Sequence, residues 1–345
     1  MVIPRSRFLA AAGAGMLGFA TRGRARAGAA DEFDPATTTT RQALRVLLGR
    51  GTAVVQGPDR FAFNGRPYRG TFTQTPDGSI VNLVDLEAYL YSVVPREMSP
   101  AWPSAAMQAQ AICSRTYVLQ RSNPRRAYDV VPSELDQVYG GYASESPAAR
   151  AAVDATAGSV LRYAGAFAYA LYSSCCGGHT EASSDAWNGP SFAYLMGVPC
   201  PYCTASPYYR WQRTLPLATV ASAFTAQLAT IGALTDVRLG AIDPSGRAKT
   251  VELDAGGASE FVMASRFRLS VGARTVPSLL ITKMGLMNDS PASPAQEPGT
   301  LAIAGGGLGH GVGLCQWGAR GMALAGHRAS DILAFYFPGT TIGHD

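Results

Sequence analysis

Glu97 is the residue whose type and surroundings best suit acid–base chemistry. It stands among prolines at positions 95, 100 and 103, next to Met98 and close to Trp102. Partial desolvation by these apolar neighbours would favour the protonated carboxyl group that a general acid needs. The alternative is a solvated loop acid paired with Arg96, since most glutamates lie on protein surfaces. The local sequence therefore leaves two interpretations, a catalytic acid or a surface residue.

Cysteine and histidine spacing indicates a second candidate site. A Cys-x2-His pair lies upstream of a Cys-x2-Cys pair, which is typical of zinc ligands. One or two disulfides in an oxidising compartment explain the same residues equally well. We therefore expect a structural cluster, bound to zinc or joined by disulfides, and no cofactor required for catalysis. Its members are Cys175, Cys176, His179, Cys200 and Cys203.

Two further cysteine patterns are not interpreted as functional. Residues 200–203 spell the glutaredoxin dithiol motif, but Ser206-Pro207 predicts an extended turn where that motif needs a helix. Cys315 lies five residues after His310, but it is flanked by apolar residues. We interpret Cys315 as an inert core cysteine.

The elements that must position these residues predict a mixed α+β fold. Strands are expected at 68–74 and 80–84, and a helix from Leu86 that Asp85 caps and Pro95 ends. Further helices are expected at 103–119, from Ser146-Pro147 to before residue 158, at 218–228, to about 325, and after a Ser330 cap. Hairpins are expected at 160–173 and around a turn at 243–246. Helices and short antiparallel strands around one catalytic domain are the predicted fold class, at 43–345, with 217–295 a less certain subregion.

The first thirty residues predict an export signal. Arg5 and Arg7 form a basic start, residues 8–20 an apolar run, and residues 27–29 a small-residue cleavage site. The alternative is a disordered tail. Residues 31–42 are expected to be a linker. No later apolar stretch approaches ~18 residues, so we expect no transmembrane anchor after signal removal and a location in the periplasm or cell envelope.

Charge excludes one class of partner. Five of the 29 basic residues and none of the 24 acidic residues lie within residues 1–30. Without that segment the basic and acidic residues are equal in number, and the formal charge of +5 falls to zero. We therefore predict no nucleic-acid partner.

Five short motifs follow one another along the chain. They are DLEAYLYSVVPREM at 85–98, AQAICSRTY at 109–117, DQVYGG at 136–141, YSSCCGGHTE at 172–181 and HGVGLCQWGA at 310–319. Together they resemble the SpoIID/LytB family, which includes stage II sporulation protein D and the amidase enhancer LytB. The resemblance runs from about residue 40 to the C-terminus. It implies an α+β catalytic domain that cleaves peptidoglycan glycan strands without hydrolysis.

That resemblance also implies that Glu97 is the general acid of the reaction. A lytic transglycosylase uses the 6-hydroxyl of N-acetylmuramic acid as nucleophile and leaves 1,6-anhydro ends, so a single carboxyl group can act as acid and then as base. The alternative function is a non-catalytic wall-binding module that stimulates an N-acetylmuramoyl-L-alanine amidase. Sporulation proteins of the family carry a zinc site in the segment that matches 129–139, but no Cys or His stands there in this chain.

Six polar residues within these motifs are candidate substrate ligands. Arg115, in a helix of small residues, is expected to orient Glu97, to contact substrate or to form a structural ion pair. The uncharged candidates can hydrogen-bond sugar hydroxyl and N-acetyl groups, although His310 could instead be satisfied within its own loop. These uncharged candidates are Gln137, Ser173, Ser174, His310 and Gln316.

Overall fold

The computed structural model describes residues 43–287 and 299–345. The predicted export signal and linker lie outside the described residues. The strands are Leu44–Arg50 (β1), Ala53–Gly57 (β2), Arg60–Phe63 (β3), Arg66–Arg69 (β4), Thr71–Gln74 (β5), Ser79–Val84 (β6), Ser159–Tyr163 (β7), Ala166–Phe167 (β8), Tyr172–Ser173 (β9), Trp211–Pro216 (β10), Asp236–Leu239 (β11), Thr250–Asp254 (β12), Ser259–Met263 (β13), Ile281–Leu286 (β14), Thr300–Gly305 (β15), Leu314–Cys315 (β16) and Thr341–His344 (β17).

Helices alternate with these short strands. They are Leu86–Glu97 (α1), Ser104–Arg121 (α2), Pro147–Asp154 (α3), Ser183–Trp187 (α4), Leu217–Ala223 (α5), Thr225–Ile231 (α6), Ala264–Val271 (α7), Gln316–Leu324 (α8) and Ala329–Tyr336 (α9). The sheets are small and mostly antiparallel, except for the parallel pair β9–β16. The α+β prediction is confirmed. Within the described ranges, no helix is both long and apolar enough to cross a membrane.

Helix α1 starts where the sequence predicts and ends later. The Asp85 carboxylate accepts hydrogen bonds from the backbone N–H groups of Glu87 and Ala88, which satisfies two free donors of the first turn. The predicted end at Pro95 is wrong. A proline in the last turn removes only one backbone donor, and the Met98 N–H group still bonds to the Val94 carbonyl. The helix therefore carries Glu97 as its final residue.

Helix α2 lies between two cores, which explains its small residues. Met107, Ala111 and Val118 pack with α1, α3 and the β1–β6–β5 sheet. Ala109, Ile112 and other residues of the opposite face pack with β9, β16, α8 and α9. Because neighbours surround it, α2 fixes the end of α1 relative to the C-terminal segment.

Residues of the ranges 211–287 and 299–305 form a third core of their own. Two three-stranded sheets, β10–β15–β14 and β11–β12–β13, are covered by α5, α6 and α7. The single helix predicted at 218–228 is wrong, because the chain breaks at Phe224, whose fully buried ring stacks on Phe267. The predicted strands around the 243–246 turn are present as β11 and β12.

Two other predicted boundaries differ from the structure. The hairpin after α3 has only a two-residue second strand, β8, because the chain then leaves it and β9 pairs with β16. Ser330 does not cap the last helix. Arg328 is the cap residue, and its backbone N–H donates to the Asp331 carboxylate, which is the one half of a capping box that an arginine cap can form.

Candidate active site

Glu97 is half-buried at the C-terminal end of α1, with N–H donors facing its two oxygens. The Val138 backbone N–H lies 3.5 Å from Oε1, and the Gln316 side-chain amide lies 3.4 Å from Oε2. These donors come from the third and fifth sequence motifs, and Gln316 is 219 residues away from Glu97. Long hydrogen bonds of this kind are common in catalytic sites before the substrate tightens them.

A chain of buried amides holds the Gln316 side chain in place. Gln316 also donates to Oε1 of Gln110 at 3.2 Å, and Gln110 in turn donates to the Ser114 hydroxyl at 3.0 Å. All three residues are buried. Because the Gln316 Nε2 group donates to both Glu97 and Gln110, Gln316 has little freedom to turn away from Glu97.

Two tryptophans and an arginine from distant parts of the sequence lie together in space, next to residues that flank the Glu97 site in the chain. The Trp102 and Trp317 rings meet edge to face with centroids 5.0 Å apart. The Arg320 guanidinium lies 5.2 Å from the Trp317 ring centroid and 5.8 Å from that of Trp102. Both rings are partly exposed. They therefore provide an aromatic surface next to the residues that hold Glu97.

Arg115 lies away from Glu97. Its guanidinium is fully buried and makes a two-pronged ion pair with Glu87, with Nε to Oε1 at 2.8 Å and Nη2 to Oε2 at 2.5 Å. A third bond goes to the Ser159 carbonyl. Of the three roles expected for Arg115, the structure agrees with the structural ion pair. Its guanidinium bonds to Glu87 and Ser159 and has no exposed surface with which to contact a substrate.

The expected sugar ligands divide by burial. Gln137 is fully buried and bonded at both ends, accepting from the Tyr89 hydroxyl and donating to the Ser114 carbonyl. Ser173 and Gln316 are also buried, whereas Ser174 is half-buried. These three buried side chains thus present almost no surface to a glycan. The amides of Gln137 and Gln316 instead support the site through buried hydrogen bonds.

His310 is held by its own loop and by β9. Its Nδ1 accepts from the Val312 backbone N–H at 3.0 Å, so Nε2 carries the proton and donates to the Tyr172 carbonyl at 3.0 Å. The ring also lies 5.3 Å from the Trp187 ring centroid. These contacts agree with a histidine that positions the 305–313 loop against β9.

Tyr172 is a site neighbour that the sequence did not single out. Burial raises the pKa of its phenol well above the usual value, and the charge of Glu97 raises it further. Gln110, Trp317 and Arg320 were missed in the same way. Gln110 and Trp317 both lie within the motifs given above. For Gln110, the signal in the sequence was a polar residue on the otherwise apolar helix α2.

The structure brings four buried cysteine sulfurs together and changes the membership of the predicted cluster. The four sulfurs lie within 4.8 Å of one another and belong to Cys176, Cys200, Cys203 and Cys315. The interpretation of Cys315 as an isolated core cysteine is therefore wrong, because its sulfur belongs to this group of four. His179 is outside this set, with Nδ1 on the Thr180 carbonyl, and Cys175 is buried beside it. All six cysteines are free of disulfides.

A buried arginine, Arg247, supports the loop that carries Cys176 and lies beside two buried acids, Glu181 and Asp243. Arg247 donates to the carbonyls of Cys176 and His179 at 2.8 and 3.0 Å. Burial raises the pKa of Glu181 to about 9, although the Arg247 guanidinium opposes this increase. Burial also acts to raise the pKa of Asp243, but hydrogen bonds from Ser245 and Glu181 lower it overall. One carboxyl group thus keeps its proton beside an ionised one.

Comparison with known proteins decides the family. The family model described as stage II sporulation protein matches residues 75–163, which include Glu97 and Gln137. An uncharacterized protein of Brachyspira hyodysenteriae is 33% identical over 84% of this chain and 76% of its own length. The chain belongs to the SpoIID/LytB family. Stage II sporulation protein D of Bacillus amyloliquefaciens is 27% identical over 78% of this chain and 77% of its own length.

The amidase enhancer of Bacillus subtilis is a further SpoIID/LytB relative. It is 30% identical over 73% of this chain, but the match spans only 40% of the enhancer's own length. Membership of the SpoIID/LytB family supports a function at the cell wall. The matched range ends before the four cysteines and before Gln316, so the family model itself does not cover those residues.

Proposed function

We propose that the protein is a lytic transglycosylase that cleaves peptidoglycan glycan strands, with Glu97 as general acid and then base. One observation carries the proposal. A partly exposed carboxyl group at the end of α1 is held by Val138 and Gln316, which belong to two other motifs far along the chain. Such convergence on a single carboxyl group is the arrangement that catalysis needs and that a surface acid lacks.

The reaction balances with this one carboxyl group. Protonated Glu97 gives its proton to the glycosidic oxygen, and the bond to the anomeric carbon of N-acetylmuramic acid breaks. The 6-hydroxyl oxygen of the same sugar bonds to that carbon, and the Glu97 carboxylate takes the hydroxyl proton. No water is consumed, and Glu97 returns to its starting state. The product is a 1,6-anhydro end.

The neighbours of Glu97 suit the charged half of this cycle. After the first proton transfer the carboxylate is negative, and the Val138 N–H and the Gln316 amide then donate to its two oxygens. We propose that sugar rings pack on the surface formed by Trp102 and Trp317. Export to the periplasm or cell envelope would place this site at its substrate.

The test is mass spectrometry of peptide-free glycan strands incubated with the purified protein. Glu97→Gln keeps the side chain's size but removes the transferable proton, so product formation should fall by ~10²–10⁴-fold. Glycan binding and the melting temperature should be unchanged. The matched control is Glu260→Gln, on β13 in a separate sheet, which should retain full activity. A folded Glu97→Gln protein that forms anhydro ends at the wild-type rate contradicts the mechanism.

A second candidate is a non-catalytic module that stimulates an N-acetylmuramoyl-L-alanine amidase. The observation in its favour is the 30% identity to the amidase enhancer. The same samples separate the two candidates. A wild-type protein that yields no anhydro ends, but increases peptide release by an added amidase, would favour this second function.

A further inference from the structure

We propose that Cys176, Cys200, Cys203 and Cys315 bind one structural zinc ion. Their four sulfurs lie within 4.8 Å of one another, and Cys176 Sγ and Cys203 Sγ are 3.7 Å apart. A tetrahedral zinc ion with Zn–S bonds of about 2.3 Å holds its sulfurs about 3.8 Å apart. Two disulfides would draw the sulfurs into two pairs, whereas one ion needs all four close to a common centre.

The chain presents these ligands as structural zinc sites do. Cys200 is the cap residue of a single 3-10 turn and Cys203 is the last residue of that turn, so their spacing is the Cys-x2-Cys of such sites. Cys176 follows β9 and precedes two glycines with φ of +75° and +112°, which turn the backbone around its sulfur. Cys315 caps the N-terminus of α8. All four side chains are buried, as in a closed site.

Hydrogen-bond donors already surround the sulfurs. The backbone N–H groups of Cys176 and Gly318 donate to Cys315 Sγ at 3.2 and 3.3 Å. The Tyr336 hydroxyl lies 3.0 Å from Cys200 Sγ. Thiolates that bind a metal carry negative charge in a buried place, and donors of this kind stabilise them. These donors are an observation separate from the distances between the sulfurs.

The ligand set is specific among the nearby groups. The Cys175 thiol is buried next to Cys176 and interacts with Cys203 and Cys315, but its sulfur is not one of the four that are all mutually close. The ring of His179 is turned to the Thr180 carbonyl. Four thiolates without a histidine select zinc or iron among the common metals, and we assign zinc because the closed site leaves no position for chemistry.

Zinc here would tie three distant parts of the chain to one point. Cys315 directly precedes Gln316, the residue whose amide faces Glu97. Holding the first turn of α8 therefore also holds Gln316. The metal site itself does not depend on the proposed function, but the effect of zinc removal on glycan cleavage rests on it.

The experiment begins with metal analysis of the full-length wild-type protein, purified without added metal or reductant. We expect about one zinc per chain by inductively coupled plasma mass spectrometry, and free thiols at the four positions after denaturation in chelator. Replacement of zinc by Co²⁺ should give the absorption bands of a tetrahedral four-thiolate site. Iron in place of zinc, or two disulfides and no metal, would overturn the proposal.

Variants then test the ligand assignment. Cys203→Ser should lose at least ten-fold in zinc affinity and lower the melting temperature by about 5 °C or more. The matched control is Cys113→Ser, a buried cysteine on α2 outside the cluster, which should keep full zinc content. If Cys203→Ser does not fold, the metal content and Co²⁺ spectrum of the wild type still decide the matter. A folded Cys203→Ser protein with unchanged zinc affinity contradicts the assignment.

Discussion

Glu181 should make the protein less stable as pH rises. Its folded-state pKa is about 9, against an ordinary value of 4.5, and burial is the main cause. Between these two values the folded protein holds a proton that the unfolded chain has released. The free energy of unfolding therefore falls with increasing pH, by up to ~1.4 kcal/mol per pH unit for this one group. Over two pH units the loss is about 2–3 kcal/mol.

The groups that face Glu181 decide how much of this slope remains. Arg247 lies 3.3 Å from its carboxyl oxygen and favours ionisation, and Lys249 adds to that effect, whereas Asp243 opposes it. The Arg247 Nε makes no hydrogen bond of good geometry within the described part of the chain. The guanidinium instead donates to the carbonyl oxygens of Cys176 and His179. We therefore expect the proton to stay on Glu181 at neutral pH.

Urea denaturation at pH 6, 7 and 8 measures this slope directly. Glu181→Gln cannot titrate, so its stability should change less with pH than that of the wild type by ~1 kcal/mol per unit. Glu260→Gln, at a partly exposed position, should keep the wild-type slope. Equal slopes for the wild type and Glu181→Gln would refute a proton held on Glu181.

Two other substitutions test the ion pair and the amide chain. Arg115→Met should cost ~3–5 kcal/mol of unfolding free energy, measured by urea denaturation, because it leaves the Glu87 carboxylate buried without its ion-pair partner. Adding Glu87→Gln should restore part of that free energy, and no restoration would argue against the ion pair. Gln316→Leu should slow glycan cleavage by ~10–100-fold with little change in KM, since a donor to the Glu97 carboxylate and the bond to Gln110 are lost. A wild-type kcat in Gln316→Leu would show that the amide does not act on Glu97.

Local signals in the sequence predicted the starts of α1 and α3, although not the cap of α9. Asp85 before an apolar helical pattern, and Ser146 before Pro147, cap the first turns of α1 and α3 as expected. The cap residue and the backbone donors that it satisfies lie within a few residues of each other in the chain. Glu97 could also be singled out, although its place at the end of a helix could not.

Partners far apart in the sequence were not predictable in the same way. Many acids could pair with Arg115, and only the packing of α2 against α1 selects Glu87. Cys315 is 139 residues from Cys176, and its apolar neighbours are equally typical of a core cysteine and of a buried zinc ligand. The break at Phe224 follows from the burial of its ring, which overrides the helical pattern around it.

The junction of β16 and α8 links the two sites through adjacent residues. Cys315 ends the strand and faces the sulfur cluster, and Gln316 begins the helix and faces Glu97. Because β16 pairs with β9 in parallel, Cys315 lies opposite Ser173, in the strand that leads to Cys176. A metal at the sulfurs would therefore fix both strands of this pair and the helix start together. Loss of zinc should reduce stability and cleavage together, whereas loss of the Gln316 amide should reduce cleavage with only the ~1–3 kcal/mol loss of stability expected for one buried hydrogen bond.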